Sequence, residues 1–470
     1  MSNFDNNGRA FLDWLINNGA SISDSIAFKD YSSENAGRGV VATKDIKDGD
    51  VLFSIPRSLL LSQLTTSLKE VDGLLDDLNG LLGWTPLIIS LMYEMKKDDS
   101  FWKPYLDVLP QAFSTPMFWT EEELKELNGT DVIPKIGRSE AEETYRDVVV
   151  PFMEKYPALF NKDIHTLELF HICGSVIMAY SFIDELQKVG KSNSKHEDGE
   201  NVEKNGDEKN EVGSDDDDDE DDDEEEGLIT MVPMADMLNH KTGFNNARLF
   251  HETDCLQMKA IKFIRKGEQI YNTYGDLCNA DLLRKYGFTD ENNPFDLVEL
   301  DGPLVVKAVY PDVEDEKVKE KIDFLMEEGV LDECFVIDTE YEIPPELIVT
   351  VHVLIATPGD FKKMVEKEKL PKPKLTEEVK NIILSILRTR LERYPTDIKD
   401  DELELQGLKG ESSNKRNALM VRIGEKKILF TTLKNLESAA VVNNSSDSSN
   451  KKRPASKHEN SDSKTKKQRK

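Results

Sequence analysis

MVPMADMLNHKTGFNNARLFHETDCLQMKAIKFIRKGEQIYNTYGDLCNADLLRKYGF, Met231–Phe288, is the stretch that decides how the rest of the chain is read. It sets an Asp, an Asn-His pair, a Gly-Glu turn and three spaced tyrosines between strand-like apolar runs. A strand that only builds a core alternates apolar and solvated side chains. Polar and aromatic groups at this density inside apolar segments point to a site instead.

The stretch belongs to a chain of 470 residues, enough for roughly two or three domains and a sizeable core. The formal charge of -31 is concentrated. Every residue from Asp215 to Glu226 is Asp or Glu, and Gly190 to Gly213 has no apolar face. Such a segment cannot offset its ordering entropy by burial, so 190–226 is expected to be a disordered loop, either a solvated spacer or a device that steers basic partners. The 437–470 segment has the opposite character, a Ser, Asn and Lys-rich tail expected to be disordered. Cys173, Cys255, Cys278 and Cys334 stand far apart with no zinc-type spacing, which predicts a reducing compartment and no metal. MSNFDNNGRAF lacks the features of a signal peptide, and the nearly apolar run Phe170–Ile183 is too short to span a bilayer. A soluble protein without membrane contact is expected.

Taken in order, Phe11, Leu12, Trp14 and Leu15 predict a helix over Arg9–Asn18. Asn35–Ser62 then carries Gly37, Gly39, Gly49 and Pro56 among short β-branched runs, the texture of two or three short strands. Pro86–Met95, Glu121–Leu127, Glu140–Tyr156 and Leu167–Leu186 are amphipathic, and Ser139 and Thr166 are candidate caps. Gly227–Phe288 returns to strands, with a turn at Lys266-Gly267-Glu268 and a short helix over Ala280–Tyr286; Asp296–Val309 is expected to add a strand pair. Val313–Gly329, Pro345–Ile355, Thr376–Tyr394 and Ser413–Leu436 are the best helices of the remainder, which Pro358-Gly359 and Pro371-Lys372-Pro373 interrupt.

The ordered set GRGVVA (Gly37–Ala42), MADMLNH (Met234–His240), GEQIYNTYG (Gly267–Gly275) and KYGF (Lys285–Phe288) resembles the motif series of SET-domain protein-lysine methyltransferases. The order of strands, helical insertion, strands and helices is similar to the subclass named after the Rubisco large-subunit methyltransferase. FWKPYLDVLPQAFSTPMFW (Phe101–Trp119), VIMAYSF (Val176–Phe182), RLERYPTDIKDDE (Arg390–Glu402) and KRNALMVRIGEKKIL (Lys415–Leu429) further resemble the ribosomal lysine methyltransferases of fungi and their animal relatives. The resemblance implies an α+β fold: a SET β-fold over 1–309, interrupted by a helical insertion at about 63–189, then an all-helical substrate-binding domain over 310–436.

It also implies roles. Gly37-Arg38-Gly39 alone reads as a hairpin turn; in the family this turn brings backbone groups against S-adenosylmethionine, making Ala36, Gly37 and Arg38 cofactor-binding candidates through their backbones. Asn239-His240 alone reads as a satisfied core pair; in the family it binds the cofactor. Asp236 could cap a turn or orient the substrate pocket. Tyr274 is the expected catalytic residue, Tyr286 would touch the cofactor, and Phe288 would line the lysine channel. Where the plant-type enzymes carry a Ser-Arg pair, this chain has Ala179-Tyr180-Ser181-Phe182. The arginine's role therefore does not carry over; Tyr180 is a candidate for cofactor contact and Ser181 for substrate contact.

The chemistry gives Tyr274 a reason to be there. Only a neutral amine has a lone pair for a methyl group, and a lysine amine with a pKa near ~10.4 is less than about a thousandth neutral at pH 7, a penalty of roughly 4–5 kcal/mol. A narrow apolar channel beside a cation favours the neutral form, and a phenol can align it without ionising. The expected activity is methyl transfer from S-adenosylmethionine to a lysine of a basic protein, with no metal implied, a large-subunit ribosomal protein the expected substrate and no direct nucleic-acid role. Two readings compete: an inactive acidic nuclear binding module or chaperone on a SET core, and a metal hydrolase, for which no ligand spacing exists. Finally, Lys451-Lys452-Arg453-Pro454 and Lys464–Lys470 resemble a bipartite signal for a nuclear import receptor, which predicts residence in the nucleus.

Overall fold

The computed structural model describes residues 3–34, 36–187, 227–311, 316–331, 333–408 and 413–440. The expected acidic loop and the two basic clusters of the tail lie outside the described residues. An N-terminal helix, Asn3–Asn17, begins before the expected Arg9 and buries Phe11, Trp14 and Leu15.

Two four-stranded sheets carry the site. Along the chain the strands are β1 (Ser21–Ile22), β2 (Ile26–Asp30), β3 (Arg38–Ala42), β4 (Val51–Pro56), β5 (Ser181–Asp184), β6 (Leu228–Met231), β7 (Asn239–His240), β8 (Ala247–His251), β9 (Cys255–Ala260), β10 (Gln269–Asn272), β11 (Leu297–Asp301) and β12 (Cys334–Asp338). One sheet has the order β1-β4-β9-β8 and the other β2-β3-β10-β7. Strand β10 runs antiparallel to β3, pairing Ile270 with Val40, and parallel to β7, pairing Tyr271 with Asn239 and Asn272 with His240. This register draws the GRGVVA, MLNH and QIYNTYG segments side by side.

Helices from Leu74 to Tyr180 fill the space between β4 and β5. Thr166 caps its helix by accepting from the Leu169 amide. Ser139 is not a cap: that helix starts at Arg138, after Gly137 in a left-handed conformation (φ 68°). The helix expected to reach Leu186 stops at Tyr180 and continues as β5, paired with β6. The cause is visible at Asp184, fully buried, which accepts from Arg57 Nε and Nη2 at 2.8 and 3.0 Å. An isolated charge could not be buried there, and extended chain brings the two together. The short helix expected at Ala280–Tyr286 is a turn of α-helix, Asn279–Asp281, followed by a π-turn, Leu282–Tyr286, that Gly287 closes (φ 80°).

The C-terminal expectation needs two corrections. Strand β11 does not pair within 296–309; it pairs with β12, and Gly302–Val309 is a helix capped by Asp301. Val298, Leu300, Val305, Phe335 and Ile337 share one buried cluster with the helices Pro345–Ile355, Glu377–Leu391 and Asn414–Ser438. The second unit is thus helical around one strand pair, and its core takes in β11, which lies before the expected division at 309/310. Pro358-Gly359, read as a break, opens the helix Pro358–Lys367, with Thr357 as its cap. Proline is tolerated there because the first-turn amides have no helical partner.

Candidate active site

Parallel pairing of β7 with β10 brings His240 to Tyr274. The Tyr274 amide donates to His240 Nδ1 at 3.1 Å, and the Tyr274 hydroxyl donates to the Leu238 carbonyl at 3.0 Å. Both ends of the tyrosine are therefore held by the segment around Asn239. The rings of His240 and Tyr274 stack at 5.0 Å, those of Tyr274 and Tyr286 at 4.5 Å, and Phe288 tilts against Tyr286 at 6.2 Å. Offset ring pairs at such separations are favourable beyond their burial.

His240 is half-buried, and burial lowers its pKa although Asp290 and Asp276 oppose the shift. A neutral ring that accepts at Nδ1 carries its proton on Nε2, which faces Thr242 Oγ1 at 3.4 Å. Thr242 in turn donates to Asp290. Burial also pushes the Tyr274 phenol well above its ordinary pKa, helped by Tyr180, Tyr286 and Asp236, so its hydroxyl stays neutral. Since that hydroxyl's proton is given to Leu238, its oxygen offers a ligand only lone pairs.

Asp236 is buried, with one oxygen accepting from the Tyr105 hydroxyl. Desolvation pushes its carboxyl up to about 7, against the opposing hydrogen bond from Tyr105. Tyr180 ends its helix next to this carboxyl, and its phenol is raised to about 12, by burial first and then by Asp236. Ser181 opens β5 one residue later, opposite Met231.

The Ala36-Gly37 turn is exposed and closes on itself, Tyr31 N donating to Gly37 O at 2.6 Å and Ala36 N to Tyr31 O at 3.2 Å. It leads into Gly39, where a Cβ would stand 2.7 Å from both Asn239 Nδ2 and Gln269 Nε2. A side chain there would displace both amides. The Arg38 guanidinium packs over Phe4 at 3.7 Å and donates to its carbonyl at 3.2 Å. Its side chain thus holds the N-terminal helix, which leaves its backbone for ligand contact.

Around this cleft the amide nitrogens of Asn239 and Gln269, Arg38 Nη1 and one oxygen of Asp236 are among the buried polar atoms of the described residues without a hydrogen-bond partner. Unpaired buried donors cost free energy unless a ligand satisfies them. A ligand rich in acceptors fits the cleft where β3, β7 and β10 meet. No group of His, Cys, Asp and Glu among the described residues could hold a metal ion.

Of the residues expected from sequence, Asn239, His240, Tyr274, Tyr286 and Phe288 form one cluster; Asp236 and Tyr180 adjoin Tyr274; Ala36–Arg38 reach it through Gly39. Tyr105 and Gln269 were missed. Tyr105 stands 131 residues from Asp236, and nothing local to FWKPYLD pairs it with a carboxylate. Bracing from outside the strands was equally hidden: the Gly287 carbonyl, between Tyr286 and Phe288, accepts from Ser114 at 3.3 Å and from Asn417 at 3.2 Å.

Residues 37–275 match the family model of the SET domain, and residues 312–429 match that of the Rubisco LSMT substrate-binding domain. The chain is 33% identical to an N-lysine methyltransferase setd6 of Danio rerio, covering 89% of this chain and 93% of that one. It is 31% identical to N-lysine methyltransferase SETD6 of Homo sapiens, covering 85% and 84%. Among solved structures, Rubisco LSMT bound to AdoMet superimposes with a TM-score of 0.66 at 19% identity, covering 92% of this chain and 91% of that one. The SET domain of LSMT bound to MeLysine and AdoHcy gives 0.66 at 20%, with the same coverage. At such identities the structural likeness is one of fold.

Proposed function

The chain belongs to the SET-domain family of protein-lysine methyltransferases, and we infer that it transfers a methyl group from S-adenosylmethionine to the ε-amine of a lysine in a basic, nuclear protein. When bound, S-adenosylmethionine supplies an electrophilic methyl on a sulfonium. Asn239 and Gln269, with their unpaired amide nitrogens, and the backbone around Gly37–Gly39 are the residues that would hold it.

The observation that carries this reading is the two-ended fixing of Tyr274. With its proton engaged by Leu238, the phenol oxygen can accept from an amine N–H and so orient the lone pair, as a preorganised dipole rather than a base. The stacked rings of His240, Tyr274 and Tyr286 make an apolar wall with no cation of its own, since burial holds His240 neutral. Desolvation there favours the neutral amine that the reaction needs.

The finer reading concerns the substrate. The motifs of the helical insertion and the last helices are like those of the fungal ribosomal lysine methyltransferases, their fourth member in particular, which supports a large-subunit ribosomal protein as target. A formal charge of -31 complements such a basic partner. Mass spectrometry of ribosomal proteins from cells lacking the enzyme tests this: one lysine of a large-subunit protein is expected to lose its methylation. Unchanged methylation across all of them overturns that substrate.

Free ribosomal proteins pass through the nucleus before assembly, and the paired basic clusters at Lys451–Pro454 and Lys464–Lys470 would bring the enzyme to them by way of an import receptor. A fluorescent fusion ending at Asn450 is expected to spread into the cytoplasm while the full chain concentrates in the nucleus. Nuclear accumulation of the shortened fusion would place the signal elsewhere.

A further inference from the structure

The turn that presents the Leu238 carbonyl to Tyr274 is unusual in itself. Met234, almost fully buried, has φ 84° and ψ -38°, a conformation that a side chain beyond Cβ rarely adopts. Strain of this kind persists only where the surroundings over-determine it. A short 3-10 turn, Ala235–Met237, follows it, and the Leu238 amide closes that turn on Ala235.

What over-determines it is Asp236. Its side chain accepts from the Tyr105 hydroxyl within the buried interior, which ties the turn to the helix that carries Tyr105. Tyr105, fully buried on the short helix Lys103–Leu106, is fixed in turn by its ring, which stacks on Phe11 of the N-terminal helix at 5.7 Å and 27°. A continuous chain of contacts therefore runs from the N-terminal helix through Tyr105, Asp236 and the strained turn to Leu238, and there reaches the Tyr274 hydroxyl at 3.0 Å.

We propose that Tyr105 and Asp236 are positioning residues for Tyr274: their buried hydrogen bond clamps the strained turn 234–238, whose last carbonyl aims the catalytic hydroxyl. The role rests on the methyltransferase reading and adds to it residues that act through Tyr274. It requires that their effect vanish once the hydroxyl they aim is gone.

A double-mutant cycle on the purified full chain measures this. Single-turnover methyl transfer to a mixture of basic ribosomal proteins is compared for the parent, Tyr105→Phe, Tyr274→Phe and the double variant, with S-adenosylmethionine affinity from calorimetry. Tyr105→Phe is expected to slow transfer about tenfold, the rate equivalent of one net hydrogen bond, with cofactor affinity unchanged. In the Tyr274→Phe background the same substitution is expected to cost less than about twofold. Equal losses in both backgrounds, or no loss in the parent, overturn the proposal. Should Tyr105→Phe fail to fold, Asp236→Asn enters the cycle in its place. A neutral amide accepts the Tyr105 hydrogen bond more weakly than a carboxylate, so the same coupling is expected. A parent chain that transfers no methyl group sinks the methyltransferase reading; a working parent with uncoupled variants sinks only this one.

Discussion

Tyr274→Phe is expected to lower methyl transfer by about a hundredfold or more, the usual cost of removing one preorganised polar group from a reacting centre. S-adenosylmethionine affinity is expected to stay within about twofold, a loss in turnover without a loss in binding. The two effects separate because they rest on different atoms. The substitution removes only the hydroxyl that donates to Leu238. The backbone amide that donates to His240 Nδ1 remains, and so do the ring contacts to His240 and Tyr286. The side chains of Asn239 and Gln269, and Gly39, are untouched by the substitution. Single-turnover kinetics with calorimetric titration of the cofactor measure both quantities. Turnover equal to the parent would remove Tyr274 from the mechanism.

Arg390→Met is expected to destabilise the protein by about 3–5 kcal/mol, the cost of breaking a buried charge network by deleting one partner. Arg390 is 1% exposed and sits where three parts of the chain meet. Its Nη1 donates to the Gly129 carbonyl at 2.6 Å, Nη2 to Asp131 at 2.7 Å, and Nε to the Glu299 carbonyl at 3.1 Å. Glu425, on the long last helix, lies 3.4 Å from the same guanidinium. The helical insertion, β11 and the C-terminal helices are thus held through one side chain. Methionine fills much of the volume but leaves Asp131 and Glu425 facing each other without a cation, and burial already raises the Glu425 pKa well above its usual range. Urea unfolding followed by circular dichroism measures the loss. A change below about 1 kcal/mol would show that solvent or neighbouring groups satisfy both carboxylates.

Periodicity made the long elements legible. Pro345–Ile355 begins and ends where its apolar spacing does, and Thr166 acts as the cap its position indicates. Short elements escaped because their signal is weaker than that of their surroundings. Strand β12 is five residues, CFVID, within a helical region, and only its pairing with β11 makes it a strand. Asp184 ends a helical pattern early because its charge has to meet Arg57, 127 residues away.

The site divides along the same line. Residues inside the motif stretch were nominated because local density marked them, and the fold brings the rings of His240, Tyr274, Tyr286 and Phe288 together. Tyr105, Ser114 and Asn417 belong to segments whose composition is that of ordinary helix and loop. Their importance lies in partners that the fold alone supplies. Arg38 shows the opposite case, a nominated residue whose side chain packs against Phe4 and Phe28.

Incubating the purified chain with methyl-labelled S-adenosylmethionine and free ribosomal proteins tests the central claim most directly. The expected result is label on the ε-amine of a lysine, present with the parent chain and lost with Tyr274→Phe. A parent chain that binds S-adenosylmethionine yet leaves every protein lysine unlabelled would contradict it, and would leave an acidic binding module built on a SET core.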